Sequence, residues 1–192
     1  MKIGVLALQG AFLEHQIILR DLGVDAVQVR QVAELGGLGG LIIPGGESTT
    51  IGKLAVDFNL LEPLKEFART HAVWGTCAGS IFLSKDARRD QPLLSLMDIR
   101  VERNAFGRQV DSFETEIDVP ALKSVSGGDT PFHAIFIRAP LIECVNGKAR
   151  ALATLPGGKI VAAQENRWLA TSFHPELTED TRFHQYFLEM AK

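Results

Sequence analysis

The sequence predicts an α/β fold: a mixed, mostly parallel central sheet with helices on both faces. Three observations predict it. Apolar runs alternate with amphipathic stretches through the first half of the chain, the order that builds parallel sheets. Those runs are apolar throughout, as expected of strands covered on both sides. No repeat or low-complexity linker divides the 192 residues, a length that suits one domain, residues 1–192, around a sizeable core.

Each element has a local reason. Ile3–Leu8 is a short apolar run and reads as a buried strand. Ala11–Leu22 reads as a helix with Ala11, Ile18 and Leu22 on one stripe, stopped by Gly23. Val24–Val29 is the next strand, Gln31–Leu35 a short helix, and Gly36–Gly40 a flexible joint. Leu41–Ile43 is a strand ending in Pro44-Gly45-Gly46. Helix follows to about Ala68, with interruptions near Asn59 and Pro63. Ala72–Trp74 is a strand, and a helix runs over Cys77–Lys85. After Pro92 the pattern changes. Ile99–Arg103, Ser112–Val119, Ala134–Arg138, Ala151–Leu155, Lys159–Gln164 and Trp168–Phe173 read as strands that add antiparallel pairing to the sheet. Pro120–Pro131 reads as a loop. A last helix begins near Glu179, with Phe183, Phe187 and Met190 as its apolar face.

Composition excludes several classes. The net charge of −3 leaves no basic footprint for nucleic acid or an anionic membrane surface. The apolar N-terminal run is too short to span a bilayer and lacks a signal-peptide cleavage site. Two cysteines, Cys77 and Cys144, make no disulfide framework, which points to a reducing cytoplasm. Cys144 sits in the apolar run Leu141–Val145 and reads as core. No Cys/His cluster has zinc spacing, so no metal site is expected.

In open α/β sheets, ligands collect beyond the carboxyl ends of the strands. Four segments fall there: Gln9-Gly10, Pro44–Ser48, Gly75–Gly79 and His174-Pro175-Glu176. Gly75-Thr76-Cys77-Ala78-Gly79 has the G-x-C-x-G form of a nucleophile elbow, whose strained turn needs small neighbours and lifts the sulfur clear of the sheet. Alone, the pentapeptide fits a small core thiol equally well. His174 follows an apolar strand, and Glu176 two residues on can accept its second N–H if the segment is extended. His15 and His184 fall within helices and read as solvated or core residues; His71 and His133 have no suggestive context. Pro44–Thr50 is a glycine turn entering a helix, with backbone N–H groups able to receive an oxyanion. Gly46…Gly52-Lys53 is not a phosphate loop, because its spacing is one residue too long. Arg103 and Arg138, near strand ends, could grip a carboxylate.

Taken together, these segments resemble the class I, triad-type glutamine amidotransferases. Within that group the run Glu102–Glu114 and Pro44–Thr49 are similar to the glutaminase subunits of pyridoxal 5′-phosphate synthases. The resemblance implies a flavodoxin-like three-layer fold and a catalytic set of Cys77, His174 and Glu176. It implies glutamine contacts at Gly46, Glu47, Ser48, Arg103, Ile137 and Arg138, and an oxyanion hole from the backbone at Gly46 and Ala78. It implies L-glutamine as substrate, no metal and no organic cofactor. The implied partner is a synthase (lyase) chain, separate from this one within a large hetero-oligomer, which receives the ammonia and switches the glutaminase on by docking. Ser80 departs from the pattern, since an aliphatic residue usually stands there. The alternatives are a glutaminase serving a different synthase, a cysteine hydrolase of the related intracellular-peptidase type, and a catalytically silent regulatory subunit.

Overall fold

A computed structural model describes residues 1–103 and 112–192. The run 104–111, part of the resemblance above, lies outside the described residues. The main sheet contains β1 (Lys2–Leu6), β2 (Asp25–Val29), β3 (Gly40–Ile43), β4 (Ala72–Thr76), β5 (Ser84–Asp86), β6 (Met97–Glu102), β9 (Leu141–Val145), β10 (Arg150–Leu155), β11 (Lys159–Glu165) and β12 (Trp168–Thr171). Its order is β2-β1-β3-β4-β12-β11-β9-β6-β5, with β10 branching from β11. The half from β2 to β12 is parallel throughout. Beyond β12 the pairing turns antiparallel until β5 closes the far edge parallel to β6. The expected antiparallel addition is therefore present, except that β7 (Ser112–Ile117) and β8 (Phe132–Ile137) form a separate two-stranded ribbon.

Strand alternation explains the three layers. Along β1, Ile3 and Val5 join one core while Leu6 joins the other, and β3 splits Ile42 from Leu41 and Ile43 in the same way. Helix α1 (Phe12–Asp21) and helix α6 (Arg182–Met190) lie over the first face, where Leu19, Phe183 and Phe187 pack around Trp74. Helices α2 (Ser48–Asp57), α3 (Leu61–Ala68) and α4 (Ala78–Leu83) cover the second with Ile51, Leu64 and Phe82. A short helix, α5 (Lys123–Ser126), follows a 3-10 turn at Pro120–Leu122.

Several elements differ locally from the expectation. The buried stripe of α1 is His15, Gln16 and Leu19; Ala11, Ile18 and Leu22 are half-buried. The polar pair is buried because it is bonded: Gln16 Nε2 donates to Ala26 O, and His15 joins a network described below. The helix from Cys77 ends at Leu83, where Ser84 turns extended and its hydroxyl donates to the Ile81 carbonyl. Leu141–Val145 is a strand, and its Cys144 is half-buried, not core. Pro120–Pro131 contains helical turns anchored by buried Leu122. Pro63 does not interrupt α3; it sits in the first turn, where its missing N–H is harmless. The last helix starts at Arg182, with Asp180 Oδ1 accepting from the Arg182 N–H, and its Met190 is half-buried.

Candidate active site

The chain leaves β1 for β2 on one side and reaches β3 on the other, so a crevice opens between the carboxyl ends of β1 and β3. Gln9 and Gly10 follow β1, and Pro44–Glu47 follow β3. Next along the sheet, β4 delivers Cys77 and β12 leads into His174. These ends enclose a cleft of about 380 Å³, of a size that suits a small metabolite. Cys77, His174, Gly46, Glu47, Ser48, Ala78, Arg103, Ile137 and Arg138 all line it. Of the residues expected from sequence, only Glu176 lies outside the cleft wall, buried behind His174.

Cys77 occupies the turn between β4 and α4 with φ +46° and ψ −108°, a strained conformation for a residue with a side chain. Its N–H donates to Thr171 O on β12 at 2.8 Å. The flanking glycines are required sterically. A Cβ on Gly75 would lie 2.4 Å from Gly79 O, and one on Gly79 would lie 2.0 Å from Ile43 O. Ser80 is fully buried and its hydroxyl donates to Cys77 O at 2.7 Å, so this departure from the family pattern satisfies its own polar group.

His174 interacts with both neighbours. Its Nδ1 meets Glu176 Oε1 at 2.7 Å, and the Cys77 side chain acts on its charge. Burial works against charge on the ring, but Cys77 and Glu176 outweigh it and raise its pKa to about 10. Burial also disfavours the Glu176 carboxylate, yet the two histidines His15 and His174 hold its pKa below the ordinary value. The segment after His174 is not extended as the sequence suggests. Pro175–Leu177 is a 3-10 turn capped by His174, and the turn still returns the carboxylate to the ring.

The glycine turn is fastened from two sides. The Glu47 N–H donates to Gln9 Oε1 at 2.7 Å. The Glu47 carboxylate caps α2, accepting from Thr50 N at 2.8 Å, from the hydroxyls of Thr49 and Thr50, and from Arg103 Nη2 at 2.8 Å. Although burial opposes ionisation, the Thr49 and Thr50 hydrogen bonds lower the Glu47 pKa to about 2. Arg103 thus spends one arm on Glu47, while its buried Nη1 has no hydrogen-bond partner among the described residues. Ser48 is buried and shares a hydrogen bond with Gln91. Ile137 and Arg138 are exposed at the cleft rim, where Arg138 takes φ +44°. Sequence reasoning picks out Gln9 as a strand-end residue without a role. Ile81 and Pro140, which also line the cleft, carry no chemical signal in a sequence. His15 and His184, expected to be solvated or core, are buried directly behind Glu176.

The fold is shared with a solved glutamine amidotransferase. A crystal structure of a glutamine amidotransferase superposes with a TM-score of 0.90 at 47% identity, covering 98% of both chains. A GMP synthase component from Thermoplasma acidophilum, at 19% identity and a TM-score of 0.70, shares the fold; the match covers 100% of this chain and 94% of that one. The model of the SNO glutamine amidotransferase family matches residues 5–192, and the chain belongs to that family. It is 59% identical to the pyridoxal 5′-phosphate synthase subunit PdxT of Dehalococcoides mccartyi, over all of this chain and 98% of that one. The PdxT of Moorella thermoacetica is 57% identical, with 99% of each chain covered.

Proposed function

We propose that the chain is the glutaminase subunit of a pyridoxal 5′-phosphate synthase, one catalytic domain that hydrolyses L-glutamine to L-glutamate and ammonia. The carrying observation is the convergence of Cys77, His174 and Glu176, with the first two facing one cleft. Full-length similarity to PdxT chains supports the choice of synthase over other glutamine-using partners.

In the first half-reaction the proton shared with Cys77 already rests on His174, as its raised pKa requires, and the thiolate attacks the side-chain amide carbon. The C–N bond then breaks, and His174 returns the proton to the departing ammonia. The enzyme is left as a glutamyl thioester. In the second half, water gives a proton to His174 and its oxygen attacks the thioester, releasing glutamate and restoring the thiol. Glu176 stays ionised throughout, fixing the ring tautomer and stabilising the imidazolium. The oxyanion is received by backbone N–H groups at Gly46 and Ala78, each donor of this kind being worth ~3 kcal/mol of barrier. The substrate carboxylate is held by the free arm of Arg103 near the rim formed by Ile137 and Arg138.

Docking activates the site by turning the Gly45–Gly46 peptide, whose N–H is the oxyanion donor; the next N–H along, that of Glu47, is held by Gln9 Oε1 at 2.7 Å. The ammonia then passes to the separate synthase chain of a hetero-oligomer. The setting is cytoplasmic; no helix among the described residues is long and apolar enough to cross a membrane. Ammonia release from glutamine, measured with and without the synthase chain and compared with Cys77→Ala, tests the reading. Turnover that survives Cys77→Ala would overturn the mechanism, and full activity of the isolated chain would overturn activation by docking.

A further inference from the structure

Behind Glu176, on the side away from His174, the structure buries two more imidazoles. Glu176 Oε1 is occupied by His174, while Oε2 faces His15 Nε2 at 3.4 Å with both side chains inaccessible to solvent. That contact is long, and Oε2 makes no well-aligned hydrogen bond among the described residues. His15 Nε2 also lies 3.3 Å from Thr76 Oγ1, the residue before the nucleophile. On its other side, His15 Nδ1 meets His184 Nε2 of α6 at 2.9 Å. Both rings stand edge-on to Trp74. α1, β4, α6 and the Glu176 turn each contribute one group to this chain, and Glu14 on α1 adds a more distant charge.

Proton counting selects one arrangement. Burial lowers the pKa of His15, against the pull of Glu176, and lowers that of His184 further, so both rings are neutral and each carries one N–H. In the 2.9 Å contact one nitrogen must donate and the other accept. If His15 Nδ1 donated, its bare Nε2 would face a carboxylate oxygen lone pair to lone pair. His184 would then hold its own proton on Nδ1, which has no partner among the described residues. If His184 Nε2 donates, both faults disappear. His15 then carries its proton on Nε2, bonded to Thr76 Oγ1 and with Glu176 Oε2 3.4 Å away, and His184 Nδ1 is left as a bare acceptor.

We propose that His15 is a positioning residue of the glutaminase site: its Nε2–H, fixed in that tautomer by His184, holds the second oxygen of Glu176 so that the first is presented to His174. An uncharged donor suits the task. A lysine or arginine there would neutralise Glu176, whereas neutral His15 orients the carboxylate and leaves its charge for the imidazolium of His174. The inference rests on reading Glu176 as the acid that orients the catalytic base.

Two measurements test it. Imidazole ¹⁵N–¹H NMR of the full chain reports each tautomer without reference to activity. His15 and His184 are expected neutral and protonated at Nε2; a charged His15, or one protonated at Nδ1, overturns the proposal. The second is glutamine turnover by the full chain with its synthase partner. His15→Leu is expected to lower kcat about tenfold with KM little changed, and to shift the kinetic ionisation of His174 downward. His15→Gln, whose amide nitrogen falls near the place of Nε2, is expected to restore most of kcat. A folded His15→Leu with wild-type kcat and pH profile overturns the proposal alone. So does a His15→Gln no better than His15→Leu when both have wild-type unfolding midpoints. An inactive wild-type complex would instead overturn the glutaminase reading, while the NMR arm still decides the tautomers.

Discussion

Gly10→Ala is the most direct test of how the cleft is held open. Gly10 has φ +104°, and a Cβ added there would lie 1.8 Å from Gly45 O and 2.8 Å from Gly45 C. Both are backbone atoms of the turn after β3, so no side chain can swing aside. The Gly45 carbonyl also accepts from Ala11 N at 3.1 Å, and that bond is lost if the turn retreats. Gly157 supplies the control, since it has φ +82° with nothing within 4 Å of the added carbon. Gly157→Ala then carries only the penalty for a left-handed alanine, ~1–2 kcal/mol. Gly10→Ala carries the same penalty, a further ~1–3 kcal/mol for forcing atoms into filled space, and about 1 kcal/mol for the hydrogen bond. The expected losses are therefore about 3–6 kcal/mol against about 1–2 kcal/mol, read from urea unfolding of the full chain. Because the displaced turn carries Gly46, kcat for glutamine should fall about 100-fold in Gly10→Ala, the usual effect of one misplaced oxyanion donor, and stay unchanged in Gly157→Ala. Unfolding free energies of the two variants within about 1 kcal/mol of each other would refute the steric argument.

Three further outcomes follow from the electrostatics. In Cys77→Ala the His174 ring loses its thiol partner, and NMR titration should find its pKa below the wild-type value of about 10. A raised histidine pKa contributes stability that is complete below 6.5 and lost as pH rises through about 10, so Cys77→Ala should lose less unfolding free energy than wild type across that window. Glu47 works in the opposite sense. Its contribution is complete above pH 4.5 and lost as pH falls toward about 2, so Glu47→Gln should flatten that part of the acid limb in unfolding measurements. Arg103→Gln should raise KM for glutamine about tenfold to a hundredfold with a smaller change in kcat, because it removes a charge-assisted grip on the carboxylate; an unchanged KM would place the carboxylate elsewhere.

The parts of this molecule legible in its sequence are those in which one residue type has one physical use. Strands β1, β3 and β4 announce themselves because both faces are buried, and no polar residue interrupts the run. The elbow is legible because Gly75 and Gly79 are sterically required. Strand β9 is not: Leu141–Val145 reads as an apolar run, but it is short, carries a glutamate and is only partly covered, so no alternation marks it as a strand. The end of α4 is hidden because Ser84 leaves the helix for a tertiary reason, pairing at the sheet edge beside Met97. His15 is invisible for a different cause. A histidine on an amphipathic helix looks solvated, and only the approach of β4, α6 and the Glu176 turn reveals that it is surrounded by partners.

The strain at Cys77 ties these observations together. A non-glycine residue at φ +46° persists only where its surroundings leave no alternative. Here both ends of the residue are pinned. Its N–H is taken by Thr171 of β12, and its carbonyl accepts from the N–H of Ser80 at 3.1 Å and from the Ser80 hydroxyl. β12 runs parallel to β4, in register from Trp168 opposite Val73 to Thr171 opposite Thr76. The strand that pins the Cys77 amide therefore also carries the chain, a few residues later, to His174. The His174 N–H in turn donates to Ile135 O of β8 at 2.8 Å, and β8 ends at the cleft rim in Ile137. The distance between sulfur and imidazole thus follows from the spacing of two adjacent strands and the short turns that leave them. Any change that shifts β12 against β4 moves His174 relative to Cys77, whereas changes in the ribbon of β7 and β8 reach His174 through that bond, through the contacts of Phe132 and Phe136 with Phe173, and through the rim. The pair β4 and β12 sets Cys77 and His174 side by side, and the glycine turn after β3, tied by Gln9 and Arg103, lines the cleft next to them.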